Sequence, residues 1–68
     1  MKNVLVILLA FMIGDCVMLK RGPFQSSYWT ITGINAGYTF SLKDRQWTLT
    51  EVRGSYLALV DQSECKEN

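Results

Sequence analysis

From residue 14 onward the chain is divided into short stretches of extended, β-type residues separated by turn residues, and this pattern limits the fold more than any other feature. Glycine, proline, asparagine or charged residues separate the stretches and favour turns. The stretches are residues 16–20, 28–34, 38–42, 47–52 and 56–60. Five short strands at regular intervals predict an all-β domain, a small barrel or sandwich.

Apolar and polar residues alternate inside these stretches, as they do in strands that bury one face. In the second stretch Trp29 and Ile31 share one face, whereas Tyr28, Thr30 and Thr32 share the other. The same alternation continues through the third and fourth stretches. The apolar faces so predicted carry Trp29, Ile31, Tyr38, Phe40, Leu42, Trp47 and Leu49.

Ten consecutive apolar residues, Val4 to Ile13, precede the strand pattern. A run of about 7 to 15 apolar residues behind a basic residue is typical of a secretory signal. We therefore predict that residues 1–13 form a hydrophobic leader or membrane anchor, that residues 14–61 form the β domain, and that residues 62–68 form a polar tail. The alternative is that this run is a buried strand or helix of a cytoplasmic domain, or a contact with a partner.

The start of the domain has a motif of its own, "GDCVMLKRGP". It resembles the opening of the YodC-type SH3-like barrels of small bacterial and phage proteins, and the likeness covers about residues 13 to 60. The shared positions are Gly14, Asp15, Val17, Leu19, Lys20, Gly22 and Pro23. This chain departs from the pattern in having Arg21 where serine is usual, in lacking a second glycine, and in carrying the extra residues 24–28. The resemblance implies a five-stranded SH3-like barrel and no defined activity.

Two cysteines, Cys16 and Cys65, flank the predicted barrel. Because SH3-like barrels often bring their ends close together, the resemblance makes a disulfide between them a candidate, and an exported chain would favour its formation. The alternative is a pair of unrelated thiols, with Cys16 buried as a small apolar residue and Cys65 free in the tail.

The composition offers little for catalysis. The chain has no histidine, so nucleophile activation by imidazole is excluded, and two distant cysteines do not make a zinc site. The carboxylates show no spacing typical of a glycosidase or a metal site. We expect a protein that is not an enzyme, with no catalytic residue, no bound metal and no cofactor.

Binding residues are the remaining candidates. Phe24 and Tyr28 lie in the segment between the first two strands and are the aromatic residues that we expect at the surface, where SH3-like barrels contact peptides or bases. The net charge is +1, but a barrel could bring four basic residues to one side to contact phosphates. These are Lys20, Arg21, Lys43 and Arg45.

The pattern favours a small non-enzymatic module, membrane-associated or exported to the periplasm, that binds another protein. A cytoplasmic, nucleic-acid-associated barrel that self-associates through residues 4–11 is the first alternative. The second alternative is a subunit of a larger assembly whose neighbours bury the apolar arm.

Overall fold

A computed structural model describes residues 11–65 and shows an all-β fold built on one five-stranded antiparallel sheet. The strands are β1 (Cys16–Leu19), β2 (Tyr28–Asn35), β3 (Thr39–Lys43), β4 (Thr48–Arg53) and β5 (Leu57–Leu59), and each end lies within one residue of its predicted position. Two 3-10 turns, Gly54–Tyr56 and Gln62–Cys65, precede and follow β5. The order in the sheet is β4-β3-β2-β1-β5. Closure of this sheet into a barrel stays a prediction.

The core lies on one face of the sheet, and cross-strand pairs build it. Ile31 pairs with Leu42, and Leu42 pairs with Leu49 on the next strand. The predicted inward positions of Trp29, Ile31, Phe40 and Leu42 are confirmed, since all four are buried. The buried apolar cluster consists of Val17, Leu19, Trp29, Ile31, Phe40, Leu42 and Leu57.

Two bulges interrupt the pairing of the long hairpins. On β2, Thr32 is the extra residue, because Ile31 pairs with Leu42 while Gly33 pairs with Ser41. On β4 the register shifts between the Leu49 and Val52 pairs, and Glu51 has a φ of 56°. A bulge bends its strand and changes which side chains share a face. Leu49 and Val52, three positions apart, therefore both pack against the core.

The sequence placed Tyr38 and Trp47 on the apolar face, and this prediction is wrong. Tyr38 is 56% exposed and takes a left-handed φ of 57° in the turn before β3, so it does not follow strand alternation. Trp47 is 57% exposed. It lies in the turn before β4, where its backbone N–H donates to the Asp44 carboxylate at 2.7 Å.

The ends of the described region are tied to the sheet. Cys16 and Cys65 form a disulfide whose Cα atoms are 5.7 Å apart, which confirms the candidate pair. Phe11, predicted as leader, packs edge-on against Phe40 at a centroid distance of 5.4 Å. The Asp15 carboxylate accepts the Met12 N–H at 2.8 Å, which braces the entry to β1.

Residues 1–10 and 66–68, which include most of the predicted leader and the end of the predicted tail, lie outside the described residues. Within residues 11–65 no helix has the length and apolar character needed to cross a membrane.

Candidate binding cleft

A cleft of about 380 Å³ opens between the β1–β2 loop and β4. Tyr56, from the 3-10 turn before β5, forms part of the same lining, and the buried side chain of Leu19 lies at its base. The remaining lining residues are Arg21, Gly22, Pro23, Phe24, Leu49, Glu51, Val52 and Arg53. The cleft therefore combines apolar and aromatic side chains with three charged groups.

The β1–β2 loop, which forms one wall, is closed at its base by backbone hydrogen bonds. The N–H of Ser26 donates to the Leu19 carbonyl at 2.7 Å, and the N–H of Leu19 donates to the Ser27 carbonyl at 3.0 Å. Within the loop the N–H of Gln25 donates to the Gly22 carbonyl at 3.1 Å. Gly22 itself has a φ of 92°, which glycine adopts without strain.

Phe24 is held in this wall by side-chain contacts. The Ser27 hydroxyl donates to the Phe24 carbonyl and accepts the indole N–H of Trp29 at 2.6 Å. The Phe24 ring stands edge-on to the Trp29 ring, with centroids 5.6 Å apart. Because Trp29 is fully buried, the core fixes the position of an aromatic ring at the surface.

The wall formed by β4 depends on the bulge at Glu51. Leu49 and Val52 supply the apolar part of this wall, while Glu51 and Arg53 are exposed. In a regular strand, residues 49, 51 and 53 would share one face and residue 52 would lie on the other. The register shift brings residues from both sets to one cleft, which agrees with the frequent occurrence of bulges beside functional sites.

The charged groups of the cleft are Arg21, Glu51 and Arg53. The Arg21 guanidinium carbon lies 5.9 Å from the centroid of the Tyr56 ring, within the range of a cation–π contact. Within residues 11–65 the structure records no ion pair for any of the three. Two cations and one anion therefore line the cleft, and none of them has a charged partner among residues 11–65.

The structure separates the predicted binding residues. Phe24 and Arg21 line the cleft, whereas Tyr28, Lys20, Lys43 and Arg45 do not. Tyr28 is 37% exposed and begins β2. Thr30 pairs with both Cys16, at the start of β1, and Lys43, at the end of β3, whereas Lys20 and Arg21 follow the end of β1, so the pairing does not set the four basic residues level with one another. Their contact with phosphates stays a prediction.

Sequence reasoning missed the β4 half of the cleft and Tyr56. No residue pattern in 47–52 predicts the bulge at Glu51, since the polar–apolar alternation of this stretch predicts a regular strand. Tyr56 had a usable signal, because an aromatic residue directly after the Gly54–Ser55 turn lies at a strand entrance.

The side chains of the cleft offer apolar contact, aromatic faces, guanidinium donors and one carboxylate. Among residues 11–65, no group of three or more His, Cys, Asp or Glu residues could hold a metal ion.

Comparison of the chain with protein-family models, with curated proteins and with solved structures finds no match.

Proposed function

We propose that this protein is a non-enzymatic binding module, an SH3-like barrel that acts by holding a short segment of another protein. The observation that carries the proposal is the cleft between the β1–β2 loop and β4. Its volume of about 380 Å³ falls within the range of about 300–1,000 Å³ found for ligand sites, and a mainly apolar lining with a few polar groups is typical of such sites.

The organisation of the loop supports the proposal. Backbone hydrogen bonds close the loop, and the contact with Trp29 fixes Phe24 before any ligand arrives. A surface ordered in advance loses less conformational entropy when it binds, which favours affinity. Exposed aromatic rings beside an apolar groove are also the usual means of holding an extended peptide.

We further propose that the module works in an oxidising compartment, membrane-associated or exported. The disulfide between Cys16 and Cys65 supports this location, because such bonds form and persist outside the reducing cytosol. The apolar run from Val4 to Ile13 supplies a candidate export signal or anchor. Intact-mass analysis of alkylated protein from cell fractions tests the proposed location. Full-length protein with two free thiols in the cytosol would contradict that location.

Selection from a displayed library of random peptides against the folded protein tests the binding role. We expect peptides that bind in the cleft, with affinity reduced about tenfold or more by Phe24→Ser, because the aromatic wall is lost. Trp47→Ser is the matched control, since Trp47 is an exposed aromatic residue outside the cleft.

Circular dichroism shows whether both variants keep the β fold. Recovery of no binding peptide, or an equal loss of affinity in Phe24→Ser and Trp47→Ser, would contradict the proposal.

A further inference from the structure

We infer that the segment held in the cleft is an extended peptide in which an apolar side chain lies next to acidic side chains. This inference rests on the proposed binding function and adds the chemical class of the ligand. It is carried by the two guanidinium groups that border an apolar and aromatic groove.

The charge of the cleft favours an acidic ligand. Arg21 and Arg53 contribute two positive charges, and Glu51 contributes one negative charge. Neither arginine has a carboxylate partner among residues 11–65. A guanidinium binds a carboxylate through paired N–H donors, and such a charge-assisted contact is about twice as strong as a neutral hydrogen bond. An acidic ligand would therefore supply a partner that neither arginine has among the described residues.

The position of Arg21 adds a geometric argument. Its guanidinium lies over the Tyr56 ring, 5.9 Å from the centroid. An aromatic ring attracts a cation through its quadrupole and carries no net charge. Tyr56 therefore contacts Arg21 in the cleft lining without neutralising its charge.

The apolar part of the cleft determines which uncharged side chain the ligand carries and how long the bound segment is. Leu19, Leu49 and Val52 offer no hydrogen-bonding side chain, so they favour an aliphatic or aromatic side chain between the charged positions. The β4 wall runs from Leu49 to Arg53. At a rise of about 3.3 Å per residue it is at most about 13 Å long, because the bulge at Glu51 shortens the strand. An extended segment of at most about four residues matches this length.

The test uses the full chain and a library of octapeptides whose four central positions are randomised. Acetylated and amidated ends remove the terminal charges, so that any carboxylate comes from an Asp or Glu side chain. We expect the bound peptides to be enriched in an apolar residue adjacent to Asp or Glu.

Charge-reversing substitutions test whether Arg21 and Arg53 bind the acidic side chains of the peptide. We expect Arg21→Glu and Arg53→Glu each to weaken the selected peptides about tenfold or more. We expect Arg45→Glu to leave the affinity unchanged, because Arg45 is an arginine of the β3–β4 turn outside the cleft. Replacement of the peptide acid by lysine should restore binding to the Arg53→Glu variant in part.

The outcomes separate the two proposals. Peptides that need Phe24 but contain no acidic preference would overturn this inference and leave the binding role intact. Equal losses in the Arg53→Glu and Arg45→Glu variants would also overturn it, because the effect would then come from net charge. A library that yields no binder would overturn both.

Discussion

Gly54 is a residue whose identity is set by a neighbouring ring. A Cβ at this position would overlap the Cε2, Cζ and Cδ2 atoms of Tyr38. The Tyr38 ring is held by edge-on packing on Phe40 at 5.3 Å and by stacking on Phe11 at 6.4 Å. It cannot move aside without loosening these contacts. A side chain at position 54 would therefore displace the Tyr38 ring.

We predict that Gly54→Ala lowers the free energy of unfolding by about 1–3 kcal/mol, the usual cost of overpacking. Urea unfolding of the wild type and the variant measures it. In a Tyr38→Ala background the overlap is gone, so there the same substitution should cost less than about 0.5 kcal/mol. An equal cost in both backgrounds would show that the Tyr38 ring is not the cause.

The β1–β2 loop is the element on which the cleft depends, and Ser27 is its central hydrogen-bonding residue. Its hydroxyl joins the Phe24 carbonyl to the indole of the buried Trp29. Without this hydroxyl the indole N–H has no partner in a partly buried site, and such a group costs about 1–3 kcal/mol.

We therefore predict that Ser27→Ala destabilises the protein by about 1–3 kcal/mol and changes the Trp29 fluorescence. Ser55→Ala is the control, because Ser55 is an exposed serine of a 3-10 turn. Thermal unfolding and emission spectra give both readouts, and similar behaviour of the two variants would contradict the role of Ser27.

The elements were more predictable from the sequence than the cleft. Alternation in residues 28–34 identified β2 and its buried face correctly, because strand periodicity is local. Tyr38 and Trp47 were misplaced, since turn geometry at the strand ends overrides periodicity. The bulge at Glu51 depends on the fit between β3 and β4, which no local pattern expresses, so one wall of the cleft could not be predicted.

At the scale of the whole molecule, the disulfide is the main covalent constraint. It joins residues separated by 49 positions. A small domain buries a modest part of its surface and has little stability to spare. In the chain-entropy account, closing a loop of about 50 residues stabilises the folded state by about 4 kcal/mol.

We predict that Cys16→Ala together with Cys65→Ala lowers the free energy of unfolding by about 4 kcal/mol. Urea unfolding with and without reductant measures this loss. Reductant should destabilise the wild type and leave the double variant unchanged. A wild type that unfolds at the same urea concentration in both conditions would contradict the predicted contribution.

The same bond determines how the domain responds to tension. All five strands lie between Cys16 and Cys65, apart from the first residue of β1, which is Cys16 itself. A pull on the chain outside these two residues passes from one backbone to the other through the sulfur atoms. Once the contacts of residues 11–15 with β2 and β3 are broken, this load bypasses the strands between the two cysteines. All residues that line the cleft lie between Cys16 and Cys65, so the disulfide keeps them inside a closed loop when the two ends of the chain are drawn apart.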